Sequence, residues 1–151
     1  MAIRQKTTIT GTINGDGTSH SLTQCSTRDV EFAIDEPVER GGTNTGPSPT
    51  ETAIAALVGC TNVISNKCAD RLGIDIGHLR IEAKYDFDRQ GVMLMQEVEV
   101  PFPKIVLNIV ADGSATEDEL KQVAAELAKY CPIAKVFRHS GTVIEENWSK
   151  A

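Results

Sequence analysis

The chain reads as an α+β domain, and three observations predict that class. Residues 79–88 alternate apolar and polar without a fault, the period of a half-buried strand. Two capping boxes, Ser48–Glu51 and Thr116–Glu119, each precede an apolar run at helical spacing. Turn-rich segments separate further short strand-like stretches, so strands, a helix, more strands and further helices follow in order. At 151 residues the chain has the length of one domain, expected to span 1–151, and can bury a core without disulfide staples.

Residues 3–13 and about 19–34 read as strands, with Gly15-Asp16-Gly17 supplying the turn between them. Pro37 ends the second ladder because it has no N–H to donate. Residues 40–49, RGGTNTGPSP, form an irregular loop of the kind that often lines a site. Ser48 then serves as N-cap, Pro49 as the first helical residue and Glu51 as the third, and the helix runs to about Leu72, before Gly73. Ala53, Ile54, Ala56, Leu57, Val58, Cys60, Val63 and Ile64 occupy more than one face, which predicts burial on several sides.

The strand at 79–88 turns through Asp88-Arg89-Gln90-Gly91 into an expected strand at 92–100. Pro101 and Pro103 interrupt the chain, and a third strand follows at 104–111. That order predicts an antiparallel meander. Leu120, Val123, Ala124 and Leu127 mark an amphipathic helix to about Tyr130. Cys131-Pro132 opens a short helix over 132–138, and Thr142–Trp148 reads as a last strand.

Composition narrows the function. A net charge of -6 argues against nucleic acid and anionic membrane as partners, since both reward clustered Lys and Arg. The first residues, MAIRQKTTIT, hold no apolar run of the secretory type, so a cytoplasmic protein with reduced thiols is expected. Cys25, Cys60, Cys68 and Cys131 show no metal-finger spacing, His20, His78 and His139 share none either, and no metal site is expected.

The thiols are the candidates for chemistry. Cys131 stands at the N-cap of a helix, where unpaired N–H groups favour a thiolate, or is simply a small buried hydrophobe at a helix junction. Cys60 lies mid-helix, where burial keeps a thiol inert unless a cation stands close. Arg28 and Arg40 are the candidate cations. Glu51 lies nine residues before Cys60, roughly 13 Å along one helix and on its opposite face. It can therefore act on that thiol only by positioning an arginine.

Asp35-Glu36-Pro37, Gly41–Pro49 (GGTNTGPSP), Thr50–Thr61 (TETAIAALVGCT) and Cys131-Pro132-Ile133 together resemble the OsmC/Ohr family of thiol-dependent hydroperoxide reductases. The resemblance implies an OsmC-like fold, with antiparallel sheets wrapped around a buried central helix in an intertwined homodimer. It implies that Cys60 is the peroxidatic cysteine and Cys131 the resolving one. Arg28 is then the residue that holds the thiolate, with Arg40 as the alternative, and Glu51 the acid. The substrate is an organic hydroperoxide, which an aliphatic pocket around Ile54 and Leu57 favours over hydrogen peroxide. The reductant is an external dithiol, and no metal or organic cofactor is required. The alternative function is a stress-response or apolar-ligand-binding module with both thiols serving as packing residues.

Overall fold

The computed structural model describes residues 7–151. Its contacts divide the chain into two compact units, one up to Ala53 and one from Ile54 to Ala151.

The first unit is a three-stranded antiparallel sheet in the order β1-β2-β3, with β1 at Asn14–Gly17, β2 at Thr23–Thr27 and β3 at Val30–Ile34. Of the strand expected over 3–13, residues 3–6 lie outside the described residues and 7–13 form no strand. The turn expected at Gly15–Gly17 is part of β1, with Gly15 opposite Cys25 and Gly17 opposite Thr23. The chain reverses instead over Thr18–Leu22. There the N–H groups of Thr18 and Ser19 donate to the Leu22 carbonyl, and the Ser19 hydroxyl accepts from the Leu22 N–H at 3.0 Å. Serine and threonine side chains make such local bonds readily and so compete with glycine for the turn. The single strand expected over 19–34 is a hairpin, broken at Arg28-Asp29, with Arg28 at φ 54. Past β3 a short 3-10 turn, Val38–Arg40, leads into the loop before the first helix.

That helix, α1, spans Pro49–Leu72 and ends where Gly73 takes φ 69, a conformation glycine adopts without a Cβ penalty. From Ile54 onward it buries Ile54, Leu57, Thr61, Ser65, Cys68 and Ala69, a single stripe at helical spacing. Burial on several sides is therefore not found within one chain. Ala55, Ala56 and Gly59 face away from the stripe, and Val63 is 50% exposed. Small residues offer little area for a single chain to bury, so the opposite face stays open.

The second unit is built on β4 (Leu79–Tyr85), β5 (Lys104–Ala111) and β6 (Val143–Lys150), in that order across the sheet. The α2 helix (Glu117–Tyr130) and the α3 helix (Pro132–His139) lie between β5 and β6 in the chain. The alternation expected of β4 holds. Leu79, Ile81, Ala83 and Tyr85 pair with Ala111, Ile109, Leu107 and Ile105 of antiparallel β5. All four of those β5 residues are buried.

Two expectations fail here. Residues 92–100 form no strand, because turn bonds take the N–H groups that a ladder would need. Met93 donates to Arg89 at 3.0 Å, Leu94 to Gly91 at 2.9 Å and Met95 to Gln90 at 2.9 Å. The β6 strand runs parallel to β5, so the sheet is mixed. Two helices carry the chain from the end of β5 back to its start, and a crossover of that length returns a strand in the same direction.

Cys68 and Ala69 of α1 join Ile76, Ala111, Ala115, Leu120 and Val123 in one apolar cluster, with Ile64, Leu79 and Trp148 against it. At the end of α1, Arg71 pairs with Glu126 of α2 and stacks over the Tyr130 ring at 4.8 Å. No helix among the described residues is long and apolar enough to cross a membrane.

Candidate active site

The irregular loop of the first unit folds around one carboxylate. Asp35, at the end of β3, is fully buried. One of its oxygens accepts from the Glu36 N–H at 2.8 Å. The other accepts from the Thr43 N–H at 3.0 Å, the Thr43 hydroxyl at 2.5 Å and the Thr45 N–H at 3.1 Å. The Thr43 hydroxyl foremost, with the Thr45 and Glu36 amides, holds the Asp35 carboxyl far below the usual carboxylate range against the opposing cost of burial. The loop packs too closely for side chains at two points. A Cβ at Gly42 would lie 1.8 Å from the Glu36 carbonyl oxygen, and one at Gly46 would lie 2.2 Å from that of Ala33. Asp35 is the residue that sequence reasoning passed over as a role. Its signals were an acid closing an apolar strand just before a Gly/Thr-rich stretch, and its place in the Asp35-Glu36-Pro37 motif, neither of which names its part in holding the loop.

The loop also carries an arginine. Arg40 donates from Nε to Glu36 at 2.6 Å, and it feels the charge of Glu51 as well. Glu51 caps α1 as expected: the Ser48 N–H donates to its carboxylate at 2.8 Å, and its own N–H donates to the Ser48 hydroxyl at 3.3 Å. The Ser48 amide, then the Ser48 hydroxyl, and lastly Arg40 lower the Glu51 pKa. The first unit thus brings Arg40 and Glu51 into electrostatic range of each other. Arg28 is exposed at the tip of the β2–β3 hairpin.

In the second unit the Cys60 thiol is near enough to Cys131 to influence its titration. Cys131 is the joint between α2 and α3. Its N–H donates to Leu127 at 3.0 Å, closing α2, and its carbonyl accepts from Lys135 at 3.1 Å, opening α3. An extended backbone at this residue, φ -70 and ψ 108, and Pro132 just after it separate the helices. The thiol is fully buried, whereas Cys60 is half-buried on α1. Burial foremost pushes the Cys131 thiol from 9.0 up to about 11. The Cys60 thiol beside it adds to the rise, and the Ala134 and Ile133 amides oppose it. The helix N-terminus therefore does not win at this residue, because removal from water disfavours the charged form more strongly.

The sign gives a test. A raised thiol pKa means that Cys131 stays protonated at neutral pH and becomes thiolate only in strong alkali. Below pH 9 its thiolate fraction is about a hundredfold under that of an ordinary thiol. Mass-spectrometric mapping after brief iodoacetamide treatment should find Cys131 nearly unlabelled at pH 8, with labelling rising about tenfold per pH unit up to about pH 10.

Among the described residues no group of three or more His, Cys, Asp or Glu side chains is arranged to hold a metal ion. Residues 42–147 match the OsmC-like protein family. The chain belongs to that family. Solved structures agree with this OsmC-like protein in fold. It is similar to an OsmC-like protein from Mycoplasma pneumoniae, with a TM-score of 0.79 at 16% identity over 95% of this chain and 98% of that one. An organic hydroperoxide resistance protein from Elizabethkingia anophelis gives 0.71 at 19% identity, over 97% and 99%. The organic hydroperoxide resistance protein OhrB of Bacillus subtilis gives 0.63 at 16% identity, over 93% and 98%. No curated protein matches the sequence.

Proposed function

We propose that this OsmC-like protein is a thiol-dependent peroxidase that reduces organic hydroperoxides. A role in hydroperoxide resistance accords with its family and with the names of the structures it resembles. The observation that carries the finer reading is the buried Cys131 thiol lying beside Cys60.

In this reading the Cys60 thiolate attacks the distal oxygen of the hydroperoxide. The O–O bond breaks, the alkoxide takes up a proton and leaves as the alcohol, and Cys60 becomes a sulfenic acid. Cys131 condenses with it, forming a disulfide and releasing water. An external dithiol returns both residues to thiols by exchange. A resolving thiol that stays protonated at rest does not compete for the peroxide, which suits Cys131 to the second step.

The reaction also calls for a guanidinium to favour the thiolate and orient the peroxide. Arg28 and Arg40 are the two candidates for that role, and Arg40 is the one whose guanidinium is held by a carboxylate, that of Glu36. Glu51, whose carboxylate caps α1 through the Ser48 N–H, is proposed as the acid that positions the arginine. We further propose a homodimer, since the open face of α1 and exposed Ile9, Ile13 and Phe32 are apolar area that a second copy can cover. Four unpaired cysteines suit a reducing compartment, and we place the protein in the cytoplasm. Steady-state consumption of cumene hydroperoxide in the presence of a dithiol tests the function. Sustained turnover supports it, and its absence favours a binding or stress-response module.

A further inference from the structure

The segment after β4 holds a sulfur beside a guanidinium. Met93 and Met95 both stand in the turn that replaces the expected strand, at 52% and 66% exposure. They differ in their neighbours. The Arg89 guanidinium donates from Nη2 to the Met93 sulfur at 3.6 Å. The Met93 N–H in turn donates to the Arg89 carbonyl at 3.0 Å, so the two residues are tied through both backbone and side chain. A thioether is a weak acceptor, which leaves this guanidinium free to prefer a stronger one.

We propose that Met93 is an oxidation site, at which a hydroperoxide transfers its distal oxygen to the thioether while Arg89 stabilises the departing oxygen. A sulfur lone pair attacks the distal oxygen and forms the S–O bond. The O–O bond breaks, and its electron pair goes to the proximal oxygen. The hydroperoxide proton passes to that oxygen through water, giving the alcohol. The thioether is oxidised by two electrons to the sulfoxide, and the hydroperoxide is reduced by two. Positive charge grows on sulfur, which the guanidinium opposes, but negative charge grows on an oxygen that can accept a direct charge-assisted hydrogen bond. The fork of five donors on arginine lets one N–H remain near sulfur while another reaches that oxygen. The product holds the pair together more firmly, since a sulfoxide oxygen accepts better than a thioether sulfur. Methionine sulfoxide is reducible, so the mark can be erased.

Exposure and charge make opposite forecasts, and this decides the test. Exposure alone favours Met95, whereas the guanidinium favours Met93. The experiment uses the full chain with Cys60→Ser and Cys131→Ser, so that neither nominated thiol consumes the reagent and the result is independent of the peroxidase reading. Cumene hydroperoxide is added, and sulfoxide at the two methionines is followed by peptide mass spectrometry. Met93 should oxidise about tenfold or more faster than Met95, the size expected of one charge-assisted hydrogen bond in a transition state. Arg89→Gln should bring the ratio to one or below, and Arg89→Lys, which keeps the cation, should hold it above one. Faster oxidation of Met95 in the otherwise unsubstituted chain overturns the proposal. So does a ratio indifferent to Arg89→Gln, or one that Arg89→Lys abolishes as fully as Arg89→Gln does.

Discussion

Replacing Cys60 with serine should lower hydroperoxide turnover by about a thousandfold or more. A serine hydroxyl is almost never ionised at neutral pH, and no second group in the proposed cycle can make the first attack on the O–O bond. The substitution is nearly isosteric at a half-buried position, so the helix should persist, and far-UV circular dichroism can verify that. Cys131→Ser should behave differently. The first step survives, one equivalent of peroxide is consumed rapidly, and a sulfenic acid accumulates because its resolving partner is gone. Later turnovers should then depend on direct attack by the added dithiol and scale with its concentration. A fast phase separated from a slow steady state in Cys131→Ser, and neither in Cys60→Ser, assigns the two roles. If Cys60→Ser retains normal turnover, the assignment fails.

Leu107→Ala should be the most damaging simple truncation in the second unit. Leu107 is fully buried in β5, the middle strand, with Ala83 opposite on one side and Glu146 on the other. A strand held on both edges cannot shift to fill the space. The lost transfer energy and the residual cavity should together cost about 3 kcal/mol. Val143→Ala, at a position 60% exposed on β6, should change stability by no more than about 0.5 kcal/mol. Urea unfolding of the two variants measures the contrast. Equal midpoints would show that the inner face of β5 is not the core described here.

Local chemistry explains what could be read before the structure. Ser48 and Glu51 announce α1 because a capping box satisfies its own end groups within four residues. Thr116 and Glu119 do the same for α2, Pro132 fixes the start of α3, and the alternation from Leu79 to Tyr85 reports one solvated face. Decisions made by distant partners were not legible. Asn14–Gly17 becomes a strand because β2 pairs with it, and its two glycines spoke for a turn. The 92–100 segment had apolar residues enough for a strand, but turn bonds to Arg89, Gln90 and Gly91 took its donors. The direction of β6 depended on two helices bringing the chain back. Asp35 was hidden because its partners, Thr43 and Thr45, stand across a loop. The meeting of Cys60 with Cys131 came from the family resemblance; spacing alone left each of them open to a packing role.

In the proposed cycle Cys60 and Cys131 close a bridge during turnover. Mass spectrometry of the reduced protein after one equivalent of cumene hydroperoxide reads that bridge. The expected result is a loss of two mass units on the whole chain and a single cross-linked peptide pair that joins Cys60 to Cys131, reversed by a dithiol. Both thiols still free, or a bridge that leaves out Cys60, would contradict it.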